Sequence, residues 1–197
     1  MAPAHIDRST LMTFLTRLSA SYSRPCRLYL VGEAALLWEG WRERIRRLVF
    51  AAEVASGDRA ILDAVLNALG AELGIEILEE SPGDVIPLPA GQAARARSAG
   101  RIGALELYHF DPYSVAFRLI ARGDEDDYHT VLAFLACGWL TVEEMNLLLS
   151  DTLPKFTSET IQQDPAEFRR KYKGLLQMWR AAQAQSLEAS GAFSTVS

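Results

Sequence analysis

The stretch Arg27–Val54 constrains the fold most, because it has the pattern of one strand, turn, helix and second strand. Leu28–Val31 is a short apolar run that ends at Gly32, which is typical of a buried strand. The helical run after it closes at Gly40, since glycine tolerates the left-handed conformation of a helix C-cap. A second apolar run, 48–52, predicts a second buried strand. The turn at Gly32 would leave a helix N-terminus open to an anion such as phosphate.

The composition limits the class of protein but does not indicate a function. The 197 residues suit one domain with decorations, and 49% hydrophobic with 23% charged residues is ordinary for a globular protein. The net charge of −5 gives no reason to expect nucleic acid as a partner. No run reaches the roughly 18 apolar residues of a membrane span, so we expect no membrane partner. Cys26 and Cys137 are expected to be reduced and buried, as in a cytoplasmic protein.

The layout of this stretch resembles the nucleotidyltransferase superfamily, and within it the small bacterial nucleotidyltransferase-like domains related to abortive-infection and toxin–antitoxin proteins. Members carry Gly-Gly or Gly-Ser at the turn, a Gly-aromatic-Arg segment after the helix, and then a strand with Asp-x-Asp. Here the turn is Gly32-Glu33, the next segment is Gly40-Trp41-Arg42, and the Asp-x-Asp positions fall on Arg47-Leu48-Val49. The resemblance covers roughly residues 27–138.

The resemblance implies a catalytic site whose carboxylates hold two divalent cations about 3.5–4 Å apart. Alternation along a strand puts Arg47 and Val49 on one face, where those carboxylates would point. Neither residue supplies an oxygen ligand, so we predict no catalytic residues, no metal site and no cofactor. The predicted function is a catalytically inactive nucleotidyltransferase-like protein that acts as a ligand-binding or protein-interaction module. The alternative is an active, magnesium-dependent nucleotidyltransferase of the toxin–antitoxin type that modifies protein or RNA.

The densest cluster of charge lies between the helix and the second strand, with four arginines in six positions. The planar fork of arginine suits phosphate or carboxylate. The predicted site for a nucleotide or other anion consists of Gly32, Glu33, Arg42, Arg44, Arg46 and Arg47. The alternative is a solvated connector whose arginines pair with the protein's own acids. A protein partner or a second copy of the chain is the other expected kind of partner.

Three charged residues carry further expectations. An arginine on a central strand would be partly buried and would need an acid, so Arg47 is expected to pair with Glu33 or Glu106. Glu33 is expected either to form an internal ion pair with Arg44 or Arg47, or to face solvent in the first helical turn. Glu106 is either the third carboxylate that the resemblance implies or a structural residue.

The whole chain predicts an α/β (α+β) fold, with a small mixed sheet of about four strands flanked by helices and a helical C-terminal part. Residues 1–138 are the expected nucleotidyltransferase-like core, 139–188 a helical extension packed on it, and 189–197 a disordered tail. Segment 81–103 is the least regular part, either a functional lid or a surface connector. Helix starts are predicted at Asp7, Asp111, Asp124, Thr141 and Asp164. The last helix has an apolar stripe that should dock on the body or on a second copy.

Overall fold

The computed structural model describes residues 5–157 and 163–192. Its strands are β1 (Ile6–Asp7), β2 (Cys26–Leu30), β3 (Arg44–Ile45), β4 (Arg47–Glu53), β5 (Glu76–Glu79), β6 (Arg97–Ile102) and β7 (Leu105–His109). Its α-helices are α1 (Arg8–Ser21), α2 (Glu33–Glu39), α3 (Arg59–Leu73), α4 (Gln92–Arg95), α5 (Pro112–Arg122), α6 (Glu125–Ala136), α7 (Val142–Thr152) and α8 (Pro165–Ala192). None of the described helices is long and apolar enough to cross a membrane.

Five of these strands form one mixed sheet in the order β5-β4-β2-β7-β6, and β1 pairs with β3 in a small antiparallel sheet. Strand β2 runs antiparallel to β4 and parallel to β7, while β5 runs parallel to β4. The mixed sheet flanked by helices confirms the predicted fold class.

The sheet has one strand more than expected, because β6 lies inside segment 81–103. Its sequence, Arg97–Ile102, has few of the residues that favour strands, and its register with β7 shifts between Ser98 and Gly100. Pairing along β7, rather than local preference, therefore makes this segment a strand.

Most of the predicted helix starts are stabilised by local hydrogen bonds. The Asp7 carboxylate accepts from the Thr10 backbone N–H at 2.8 Å, and the Thr141 hydroxyl accepts from the N–H of Glu144 at 3.2 Å. The Asp164 carboxylate likewise accepts from the N–H of Ala166 at 2.8 Å. A side-chain oxygen at these positions satisfies amides that the helix leaves without partners. Asp124 also precedes a helix, α6, but its side chain makes no such bond.

The core lies on one face of the five-stranded sheet. Alternate residues of β2, β4 and β7 are fully buried there, namely Leu28, Leu30, Leu48, Phe50, Leu105 and Leu107. Helix α2 packs on β4, α3 packs on β5, and α1 packs on both of these helices. The intervening residues of the same strands are half-buried or exposed, so the outer face of the sheet is more polar and more open.

The chain divides into two compact units. The first comprises the described residues up to Asp84 together with Gly91–Val115, and it holds both sheets. The second comprises Val85–Ala90 and the described residues from Ala116 onward. The boundary expected at residue 138 lies inside this second unit, between α6 and α7.

In the second unit, α8 docks through the apolar stripe that the sequence predicts. Phe168, Tyr172 and Leu175 are buried, and the Phe168 ring meets Phe117 edge-on, with ring centroids 6.0 Å apart. Helix α8 continues to Ala192, so the first four residues of the expected disordered tail are helical. Residues 193–197 lie outside the described residues.

Candidate functional site

The turn at Gly32 forms as predicted, with a backbone φ of 62° that favours glycine. It leads into α2, which ends at Gly40 in the left-handed conformation. The first amides of α2 are already used, because the N–H of Ala34 bonds to the carbonyl of Val31 and the N–H of Ala35 bonds to that of Gly32. This short helix therefore offers less to an anion than the sequence suggests.

Two of the four arginines in the predicted anion site lie close to acids. Arg42 forms an ion pair with Glu33, and both side chains are about three-tenths exposed. Arg44 lies on β3 directly opposite Asp7 of β1, where its charge helps to lower the pKa of that carboxyl, although hydrogen bonds from Thr10 have the larger effect. Glu33 thus does form an internal ion pair, but the expected partners, Arg44 and Arg47, are wrong.

Arg46 and Arg47 behave differently. Arg46 is exposed just before β4, and Arg47 is half-buried as the first residue of that strand. Within residues 5–157 and 163–192 neither side chain has an acidic partner. The expectation that Arg47 pairs with Glu33 or Glu106 is wrong, because Arg42 and Arg27 take those acids. Glu76 is the residue paired with Arg47 in the strand register, yet no ion pair joins the two.

Strand β4 pairs with β2 as far as the turn. Residues that alternate along β4 share a face, so Arg47 and Val49 lie on the outer face while Leu48 points into the core. The backbone N–H of Val31 bonds to the carbonyl of Val49 at 3.1 Å, which continues the pairing of β2 and β4 up to the Gly32 turn. The structure therefore brings the start of β4 next to the turn.

Glu106 lies on the outer face of β7, next to β2, in a cluster of charges. Arg27 donates to it through Nε at 3.1 Å and also lies 3.8 Å from Glu53. The hydroxyl of Tyr29 donates to Glu53 at 3.0 Å. The charged residues Arg27, Glu53 and Glu106 line part of an open cavity of about 480 Å³. Because Arg27 bridges both carboxylates, it offsets one of their two negative charges and holds Glu106 in place, so a structural role for Glu106 is the simpler interpretation.

Three aromatic side chains on the outer face form a cluster that was not predicted from the sequence. The ring of Tyr29 lies 5.4 Å from that of Tyr108 and 5.7 Å from that of Phe110, measured between centroids. Tyr108 and Phe110 have the same parity along the chain as Glu106, and this alternation is the signal that could have found the cluster.

Two further polar pairs lie at the end of β7. His109 is buried, and its Nε2 lies 2.8 Å from an oxygen of Glu39. Burial lowers the pKa of His109, and the bond to Glu39 opposes that shift. Arg95 donates two hydrogen bonds to the buried carboxylate of Asp111 and lies 5.6 Å from the centre of the Tyr113 ring.

No group of three or more metal-capable side chains comes together in the part of the chain that the structure describes. The cysteines are both free thiols. Burial raises the pKa of Cys26 to about 11, so this thiol is protonated at neutral pH. Cys137 is exposed, contrary to the expectation that both cysteines are buried.

Comparisons with protein-family models, with curated proteins and with solved structures gave no match for this chain. The function must therefore be inferred from the residues of the chain.

Proposed function

We propose that this protein is a non-catalytic nucleotidyltransferase-like module that binds a small anionic ligand at the start of β4. Arg47 would hold the anion, and Arg46 would lie beside it. The observation that carries the proposal is that Arg47 is half-buried and has no acidic partner among the described residues. A charged group withdrawn from water is costly unless a counter-charge accompanies it, so this guanidinium favours a bound anion.

The neighbouring charges support the choice of Arg47. Glu33 is an acid close to the turn, but Arg42 already pairs with it, which reduces its repulsion of an incoming anion. A guanidinium can donate two parallel hydrogen bonds to the oxygens of a phosphate or a carboxylate. Phosphate-bearing molecules, nucleotides included, and carboxylates are therefore the ligand class.

The absence of catalysis is part of the same proposal. By the resemblance to nucleotidyltransferases, Arg47 and Val49 occupy the positions of two metal-binding carboxylates. A guanidinium repels a divalent cation by roughly 4 kcal/mol per unit charge at about 4 Å in a medium of intermediate dielectric constant. Under this proposal the ligand binds without a metal, and no phosphoryl group is transferred.

Calorimetric titration tests the proposal, with inorganic phosphate, ADP and acetate as probes. We expect the unmodified protein to bind phosphate or ADP and Arg47→Met to lose at least about tenfold in affinity. Arg169→Met is the matched control, since Arg169 is an exposed arginine on α8. Equal binding by Arg47→Met and the parent protein would contradict the proposal. Magnesium-dependent turnover of ATP would instead support the active enzyme.

A further inference from the structure

We propose that the free edge of β5 binds an extended, basic segment of a partner protein, which adds to the sheet as a sixth strand. This proposal goes beyond the anion site, because it concerns the outer edge of β5 and not the outer face of β4. Strand addition of this kind uses backbone hydrogen bonds for affinity and pockets for alternate side chains for specificity. Strand β5 offers both features.

Only about half of the backbone hydrogen-bonding groups of β5 face β4 and can pair with it. The N–H of Glu80, just beyond the strand, donates to the carbonyl of Phe50 at 2.9 Å, and Leu78 pairs with Val49. Since backbone groups alternate in direction along a strand, those of Ile77 and Glu79 point away from β4. Neither residue finds a backbone partner there in the described part of the chain. Such an edge is a template for another strand.

A groove of about 350 Å³ runs beside this edge, between α3 and β5. It is lined by Arg59, Asp63, Leu66, Asn67, Ile77 and Glu79. Helix and strand approach each other closely at Gly70, where an added Cβ would lie 3.2 Å from the Cδ1 of Ile77. The Leu66 and Ile77 side chains give the groove an apolar part, which suits every second side chain of an added strand.

The charges beside the groove define the occupant. Among its lining residues Arg59 is the one base, and it already bonds to Asp63 and Glu79. Glu76 is exposed at the start of β5, on the face of the strand opposite to the groove, and it has no ion pair with a described residue, so it adds negative charge to the same edge. A basic segment complements this surface. A second copy pairing edge to edge would bring the acids of two β5 strands together, which is unfavourable.

Amide hydrogen exchange measured by NMR tests the proposal on the full chain. The probe is the acetylated, amidated peptide Lys-Val-Lys-Val-Lys-Val-Lys. Without it, the amides of Ile77 and Glu79 should exchange faster than that of Leu78, which is bonded to β4. At saturating peptide they should slow by about tenfold or more. The same peptide N-methylated at every internal amide keeps its charge but cannot donate, and it should give no protection.

A variant of the protein tests the groove itself. Asn67 is exposed on the rim, so Asn67→Arg should leave the fold intact and weaken peptide binding about tenfold by charge repulsion. Gln177→Arg on the exposed side of α8 adds the same charge elsewhere and should change nothing.

Any of four results would overturn the proposal. These are equal binding of the N-methylated peptide, equal binding of the counterpart with glutamate in place of lysine, and equal effects of the two arginine variants. The fourth is concentration-dependent protection of Ile77 and Glu79 without peptide, which would assign the edge to a second copy.

Discussion

Arg95 donates two parallel hydrogen bonds to Asp111, from Nε to Oδ1 and from Nη2 to Oδ2, each 2.9 Å long. The carboxylate is fully buried, and it also accepts hydrogen bonds from the Ser114 hydroxyl at 2.6 Å and from two backbone N–H groups at the start of α5. One side chain therefore starts a helix and anchors α4 as well. Segment 81–103, which the sequence leaves as a lid or a connector, is held by this pair and by the pairing of β6 with β7.

We expect Arg95→Met to lower the free energy of unfolding by about 3–5 kcal/mol, because it leaves a buried carboxylate without its counter-ion. Arg95→Lys keeps the positive charge but cannot donate two parallel hydrogen bonds, so it should lower the free energy of unfolding by less than Arg95→Met does. Urea denaturation of the three proteins measures the difference. A loss below about 1 kcal/mol for Arg95→Met would show that the helix-capping bonds alone satisfy Asp111.

Arg47 should contribute little to stability, in contrast to the 3–5 kcal/mol loss that a buried ion pair would predict. In buffer without phosphate, Arg47→Met should melt at or slightly above the temperature of the parent protein. Arg42→Met, which breaks the partly exposed pair with Glu33, should lower the free energy of unfolding by about 1 kcal/mol. Thermal melts of both variants give the comparison. A larger loss for Arg47→Met than for Arg42→Met would reveal an acidic partner of Arg47.

His109 should make stability depend on pH. Its pKa in the folded protein is lowered from 6.5 by burial, so the unfolded chain binds the proton more readily. Well above pH 6.5, His109 is neutral in both the folded and the unfolded state, so it does not affect stability there. As the pH falls below 6.5, the free energy of unfolding should drop by at most about 1.4 kcal/mol per pH unit, until the folded pKa is passed.

Urea denaturation between pH 7.5 and pH 5 measures how the free energy of unfolding changes with pH. This free energy should fall less steeply with decreasing pH for His109→Gln than for the parent protein. His129→Gln is the control, because His129 is an exposed histidine on α6. If the two variants show the same slope, the buried histidine is not the source of the pH dependence.

Lys171 fastens α8 to the end of α5, since its Nζ donates to the carbonyl of Ala121 at 2.6 Å and to that of Arg122 at 3.2 Å. Gly123 follows with a φ of 78°, and a Cβ there would lie 2.8 Å from the Cε of Lys171. Gly123→Ala should destabilise by about 1–2 kcal/mol from backbone strain alone, and further through this contact. In a Lys171→Ala background the second contribution should vanish.

Gly138→Ala provides the control for that cycle. Gly138 has a φ of 72° with nothing within 4 Å of an added Cβ. Gly138→Ala should therefore lower the free energy of unfolding by the same amount with or without Lys171. Denaturant unfolding of the two double-mutant cycles measures the coupling. Equal coupling energies in both cycles would mean that Lys171 moves aside freely.

The two ends of α8 should contribute differently to the stability and solubility of the protein. Deletion from Asp164 onward removes the buried Phe168, Tyr172 and Leu175 and should leave an apolar surface that aggregates. Deletion from Ala181 onward removes side chains that are exposed as far as Ser186, so the melting temperature should stay nearly unchanged. Melts and light scattering of both truncations check this. A soluble, monomeric and equally heat-stable protein ending before Asp164 would contradict the docking role of α8.

The sequence alone determined the features that depend on neighbours along the chain. The helix starts at Asp7, Thr141 and Asp164 and the turn at Gly32 follow from side chains and backbone angles a few residues apart. The short apolar runs 28–31 and 48–52 predicted β2 and β4, again from residues that are close in sequence. These signals are local, so no knowledge of the rest of the molecule is needed to interpret them.

The tertiary structure alone decided which distant residues meet. Arg42 rather than Arg47 takes Glu33, and Arg27 takes Glu106 across 79 positions of sequence. Strand β6 exists because β7 offers it a partner, although few of its own residues favour a strand. Charges of one sign are interchangeable in a sequence pattern, and only the register of the strands brings one arginine within reach of a given carboxylate.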